Sequence, residues 1–223
     1  MVSSVEVAFR PGFRDVFAGG RKGEISDLGF DIESIRGVGV YTVEASRPAE
    51  RFEAACRELF ADPLTQDVSL DSPAEGRMTD WDWMIHVRKK PGVKDNVGET
   101  SAKALGLMEA IESGDNASVL TSVKYFINGG INSQEEAESA AKQVLGYESV
   151  EEWSVISREA FEAGGYDFKP PRVMINHRPK TEYIRLDVPD DELVRISRDR
   201  HLALNLQEMK EIREYFARPE VQE

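Results

Sequence analysis

The stretch Arg10-Pro11-Gly12-Phe13-Arg14-Asp15 returns as Lys90-Pro91-Gly92-Val93-Lys94-Asp95, an offset of 80 residues from Gly12 to Gly92. Self-similarity of this kind has to be read before any single element, because it decides the architecture. Proline fixes φ, glycine tolerates the unusual φ of a tight turn, and an aspartate three residues later accepts exposed N–H groups of a following helix. The flanks repeat as well. Val5, Val7 and Phe9 alternate with Glu6 and Ala8 before the first turn, and Ile85 and Val87 alternate with His86 and Arg88 before the second, so an amphipathic strand leads into each.

Outward from the turns, each copy continues in the same order. The second copy predicts a helix with Val97, Thr100, Ala104, Leu107, Met108 and Ile111 on one face. In the first copy Gly19, Gly20 and Gly23 each cost about 1 kcal/mol against alanine, which predicts a helix that starts late or frays. Strand-forming runs follow, from Ile35 to Glu44 and from Val119 to Ile127, and then second helices from Pro48 to Phe60 and from Gln134 to Leu145, the latter opened by the capping-box pair Ser133 and Glu136. Closing strands run from Thr65 to Asp71 and from Val150 to Ser157. Each copy therefore reads β-α-β-α-β, with both helices expected on one face of a sheet. A unit of roughly 70 residues buries only about 60% of its unfolded surface, so fused units are expected to share an interface or extend one sheet. Ser72 to Arg77 reads as the linker, with Trp81 and Trp83 packing at the start of the second copy rather than forming a binding platform with Asp82.

Beyond Ala163-Gly164-Gly165 the pattern breaks. Pro170-Pro171 introduces a strand-like run from Arg172 to Leu186, Asp190 and Asp191 lead a short helix, and Asn205 with Glu208 opens another with the stripe Leu206, Met209, Ile212 and Phe216. The organisation is thus a first module over 1–72, a second over 78–160 and a strand-helix-helix extension over 166–223, an α+β chain. The formal charge of −13, from 28 Lys+Arg against 41 Asp+Glu, opposes nucleic acid and anionic membrane as partners. No run approaches the roughly 18 apolar residues of a membrane span and the N-terminus lacks signal-peptide features, which predicts a cytoplasmic protein.

The stretches Val5 to Asp15, Arg36 to Val43 and Glu58 to Gln66 resemble the three segments of the small PurS-type component of phosphoribosylformylglycinamidine synthase (FGAM synthase), and residues 82–157 look like a second, more divergent copy. The tail, Asp190-Asp191-Glu192-Leu193 through Leu202 to Ile212, is similar to the start of the linker preceding the synthetase domains in long forms of that enzyme. Val16 and Asn96 depart from the family, which often has proline after the capping aspartate, and the family's His-Cys-bearing linker motif does not follow the tail. The resemblance implies two tandem PurS-like modules, related to the ferredoxin-like fold. It implies a non-catalytic role in de novo purine biosynthesis, joining glutaminase and synthetase parts so that ammonia passes between them. Those partner domains or subunits would hold ATP and Mg; this chain is expected to hold no cofactor, no metal and no catalytic residue, and a homo-oligomer is open to it.

Sharper site readings weigh less than packing ones. Glutaminase chemistry needs a cysteine with a histidine base. Cys56 lies in the apolar helical pattern of Phe52, Ala55, Leu59 and Phe60, while His86, His177 and His201 are scattered. His86 is expected on the strand face away from the core, solvated or at an interface. Gly19-Gly20-Arg21-Lys22-Gly23 has cations and flexible backbone for a phosphate but not P-loop spacing, and the aligned Glu99 to Lys103 do not repeat such a site. The acidic Glu135, Glu136 and Glu138 read as a solvated helix face. An ACT-like pair binding a small effector between its units is the alternative function, and an RNA-binding ferredoxin-like domain ranks last for want of a basic surface.

Overall fold

The structure, a computed structural model, describes residues 2–46, 49–112, 117–166 and 182–218. The chain divides into two compact units, Met1–Val173 and Met174–Glu223.

In the first unit six strands, β1 (Val2–Phe9), β2 (Ser34–Glu44), β3 (Gln66–Leu70), β4 (Trp83–Lys89), β5 (Ser118–Asn128) and β6 (Glu151–Ser157), form one sheet in the order β3-β1-β2-β5-β4-β6. Every neighbouring pair is antiparallel. The order has the same pattern from either edge. Its centre is the β2–β5 pair, in register from Ser34 opposite Asn128 to Glu44 opposite Ser118, with Gly39 opposite Val123 in the middle. A twofold axis normal to the sheet at that point carries Gly37 onto Thr121 and Tyr41 onto Tyr125.

The helices are α1 (Val16–Asp27), α2 (Ala49–Phe60), α3 (Asn96–Leu107), α4 (Gln134–Ala140), which runs into a π-helical turn at Ala141–Leu145, and α5 (Arg158–Gly164). The two Pro-Gly turns take the same shape, with φ of +88° at Gly12 and +84° at Gly92, a region that glycine enters without strain. Each hands over to an aspartate cap: Asp15 accepts from Ala18 N at 2.8 Å and Asp95 from Gly98 N at 2.9 Å. The second carboxylate oxygen of each reaches the central strands, Asp15 taking Gly37 N at 2.7 Å and Asp95 taking Thr121 N at 2.6 Å. Gly37 and Thr121 are the positions that the central axis exchanges, so cap and strand are tied alike in both halves.

On the helix face the core is double. One cluster joins Ala18 and Ile25 of α1 to Ala137 and Ala140 of α4 over Ile85 and Ile127; the other joins Phe52 and Cys56 of α2 to Leu105 of α3 over Val5, Val7 and Val119. Each cluster draws helices from both halves, so neither half buries its apolar surface alone. Two expectations fail here. α1 neither starts late nor is shorter than α3, because the Asp15 cap holds its first turn and both helices have 12 residues. The α3 stripe is out of phase: Gly98, Ser101 and Leu105 are buried, whereas Val97 is 58% and Leu107 87% exposed. The Asp95 cap sets this phase by bringing Gly98 against β5, where a Cβ would meet Val119 O at 2.0 Å.

The far face of the sheet is covered too. Val38, Val40, Met84 and Phe126 pack with Ala74 and Trp81, and with Phe161 of α5 and Tyr166 at the margin. The middle of the linker is therefore packed on the sheet: Ala74–Gly76 form a 3-10 turn, and Ala74 and Glu75 are buried, while Ser72, Pro73 and Arg77 stay exposed. Trp81 packs edge-on to Phe126 and donates to Met78 O, and Trp83 donates to Ile131 O, which makes both structural.

In the second unit, α6 (Asp190–Asp199) and α7 (Leu206–Phe216) form a helical hairpin. Asn205 and Glu208 make the full capping box, and Ser197 Oγ donates to Leu204 O and accepts from Leu204 N, fixing the turn. Met209 and Leu193 are buried. Phe216 is exposed, contrary to its place in the expected stripe, because it ends the helix. Of the strand-like run, 172–181 lie outside the described residues, and 182–186 form no strand.

Candidate functional site

The two helix-face clusters leave an opening between them at the centre of the sheet. It is a groove of about 750 Å³ over Gly37, Gly39, Thr121 and Val123, with Phe17 of α1 on one side and Val97 of α3 on the other. Tyr41 and Tyr125, the pair exchanged by the central axis, also line it. Tyr41 stacks on Phe60 with ring centroids 4.0 Å apart, and Tyr125 stacks with Phe17 at 6.1 Å. Burial pushes both phenols above their ordinary range; the Asp95 carboxylate adds to this for Tyr41, while Arg21 offsets it for Tyr125. Gly39 lies in the middle of a central strand, where glycine weakens pairing and often marks the approach of another backbone or a ligand. A Cβ there would meet only Val7 O, at 4.0 Å, so packing does not demand the glycine.

A second constellation is buried on the far face. Lys124 donates to Glu6 Oε1 and to Glu75 Oε2, each at 2.7 Å, and the other Glu6 oxygen accepts from Ala74 N at 2.6 Å. This ties β1, β5 and the linker together. Beside it His86 has Nε2 2.8 Å from Ser122 Oγ and Nδ1 2.9 Å from Tyr166 Oη. His86 is fully buried, which corrects the expectation of a solvated histidine: it does point away from the helices, but Tyr166 and the linker roof that face. Burial, then the charges of Lys124 and Arg88, lower its pKa to about 3, so it is neutral at physiological pH. Sequence alternation pointed to a polar residue at position 86 and at Glu6; the roof over them left no periodic signal.

The other candidates separate. Cys56 is buried among the α2–α3 contacts, on the opposite side of the sheet from His86. His201 is exposed after α6, and His177 lies outside the described residues. The Gly-rich run is the interior of α1, not its start; Arg21 pairs with Glu24 at 2.8 Å and Lys22 donates to Glu33 O at 2.7 Å, so the cations do not converge. The acidic helix face is partly engaged: Glu138 accepts from Trp153 Nε1, and the Glu136 carboxylate takes Asn132 N while Ser133 caps Glu136 N. Among the described residues no group of three or more His, Cys, Asp or Glu is arranged to hold a metal ion, and no helix is long and apolar enough to cross a membrane. No family model and no curated protein matches this chain.

Proposed function

We propose that this chain is a tandem PurS-like, non-catalytic component of FGAM synthase in the cytoplasmic purine pathway, binding glutaminase and synthetase parts that carry the ATP, the Mg and the chemistry. The observation that carries the reading is the pair of equivalent cap-to-strand ties, Asp15 to Gly37 and Asp95 to Thr121, which lie in the segments resembling PurS. The environments of Cys56 and His86 agree with a role without chemistry. The thiol is enclosed in an apolar cluster, the imidazole is held by Ser122 and Tyr166, and the sheet stands between them. A scaffold requires surfaces that persist, and a sheet shared by both halves provides them.

The test is association. Purified chain mixed with the synthetase and glutaminase proteins of the same organism is expected to co-elute with them and to raise glutamine-dependent turnover. If no complex forms, and deletion leaves purine synthesis intact, the assignment is wrong. The groove between the halves favours an ACT-like effector module as the second reading, since apolar clefts of this size accept small ligands. Calorimetry against amino acids and nucleotides separates the two.

A further inference from the structure

The segment that closes the far face over His86 is held by few contacts. α5 has no buried residue. Arg158 anchors its start, donating to Thr79 O and lying 5.3 Å over the Trp81 ring. Beyond Arg158, the side chains that pack on this face are Phe161, with its ring 5.7 Å from that of Trp81, and Tyr166. Gly164 and Gly165, the latter at φ +73°, lie between them, and the turn brings Tyr166 back onto the sheet. A helix of seven residues is not stable in water by itself, so α5 stays helical only while these rings hold it down. The strap's own acids are Glu159, which is exposed, and Glu162, which pairs with Arg158.

Beneath the strap lies a titratable group. His86 is fully buried, with Tyr166 Oη 2.9 Å from Nδ1 and Ser122 Oγ 2.8 Å from Nε2. Lys124 of β5 and Ser154 of β6 stand opposite it in the sheet, and Arg88 lies two residues along its own strand. Lys124 is engaged by Glu6 of β1 and Glu75 of the linker, and Arg88 by Glu152 of β6. We infer that Arg158–Tyr166 is a proton-linked strap, closed over a neutral His86 and opened as the uncovered imidazole takes up a proton. Closure and protonation exclude one another, because a covered imidazolium would stand without water beside two cations. Burial is the first cause of the low proton affinity of His86, ahead of Lys124 and Arg88. Uncovering the ring lifts that cause and returns the imidazole toward its ordinary range. Proton uptake by the open form then draws more of the population open as pH falls. The device does not depend on the scaffold role.

Amide hydrogen exchange of the full chain, corrected for the intrinsic effect of pH, reads this opening. The α5 amides are expected to exchange through a local opening, faster than the amides at the β2–β5 centre. That opening is expected to become about tenfold more frequent from pH 7 to pH 5, an interval above the ordinary titration of carboxylates. Tyr166→Phe, which keeps the ring and loses the hydroxyl, is expected to open about fivefold more often at pH 7 and to keep the pH response. His86→Gln is expected to open equally at both pH values. Exchange of α5 only at the rate of the β2–β5 centre overturns the strap as a separate unit. An opening in the parent that ignores pH, or a pH response that survives in a folded His86→Gln, overturns the proton linkage. Should His86→Gln not fold, Tyr166→Phe decides: opening no more frequent than in the parent removes the His86–Tyr166 contact as the latch.

Discussion

Val38 and Val40 in β2 occupy the places that Ser122 and Lys124 occupy in β5, 84 residues on, as Gly39 corresponds to Val123. The two halves have the same turns, caps and strand order. On the far face, however, the first contributes two valines to an apolar cluster and the second contributes a serine on a buried histidine and a lysine between two carboxylates. The hydrogen-bonding frame thus accepts either chemistry, and what decides between them is the cover. Glu75 reaches the sheet from the linker, a segment with one copy, and an asymmetric cover selects an asymmetric surface beneath it.

Giving the second half the first half's residue should break this arrangement most severely. Lys124→Val leaves Glu75 buried without its cation and Glu6 with only Arg77, 3.6 Å away, and is expected to cost about 3–5 kcal/mol in urea denaturation, whereas adding Glu6→Leu and Glu75→Leu should recover most of the loss. A cost below about 1 kcal/mol for the single change would mean that water replaces the ammonium. The same exchange can be made in the helices. Gly98 corresponds to Ala18, both buried in the second turn's approach to the sheet, yet Gly98→Ala would place a Cβ 2.0 Å from Val119 O. Backbone cannot give way as a side-chain end can, and a loss of about 3 kcal/mol is expected by the same denaturation measurement. Equal stability would show that α3 can withdraw to the distance α1 keeps.

His86 sharpens the contrast through pH. Its folded pKa of about 3 lies below the 6.5 of an unhindered imidazole, so between those values the unfolded chain binds a proton that the folded chain does not. Stability from this group is therefore complete above about pH 6.5 and declines as pH falls toward 3, by about 1.4 kcal/mol per unit inside the window. Denaturation at pH 6 and pH 4 should show a difference about 2 kcal/mol smaller in His86→Gln than in the parent. An unchanged difference would place the proton uptake on other groups.

What was legible in the sequence was the frame. The Pro-Gly turns, the capping role of Asp15 and Asp95, the strands β1 and β4 that lead into the turns and the Asn205–Glu208 box each depend on neighbours within a few residues, and each is found in the structure, although burial of Glu6 and His86 removes the polar face expected of those strands. What escaped depends on contacts distant in sequence. The phase of α3 is set by Asp95 bonding to β5, 26 residues away, and not by its own apolar stripe. The burial of His86 is set by Tyr166, 80 residues away. The burial of Lys124 is set by Glu6, 118 positions earlier, which no local pattern places beside it. The groove over Gly39 was invisible for the same reason, since an empty space between two clusters leaves no pattern in either.

The mildest exchange runs in the opposite direction, from the second half into the first. Gly20 in α1 stands where α3 has Thr100, and a Cβ built on it meets nothing within 4 Å. Glycine in an exposed helix interior is disfavoured because the unfolded chain loses more freedom there and the backbone gains no shielding. Gly20→Ala should therefore stabilise the protein by about 0.5–1 kcal/mol, and Gly23→Ala by a similar amount, since its Cβ is equally unobstructed. The two positions are i,i+3 neighbours on one helix, so the double variant is measured directly in thermal denaturation and its departure from the sum of the single gains reports their coupling. If α1 gains nothing from either change, its stability resides in the Asp15 cap and the burial of Ala18 and Ile25 rather than in its exposed face, and the same insensitivity should then appear for Thr100→Ala in α3.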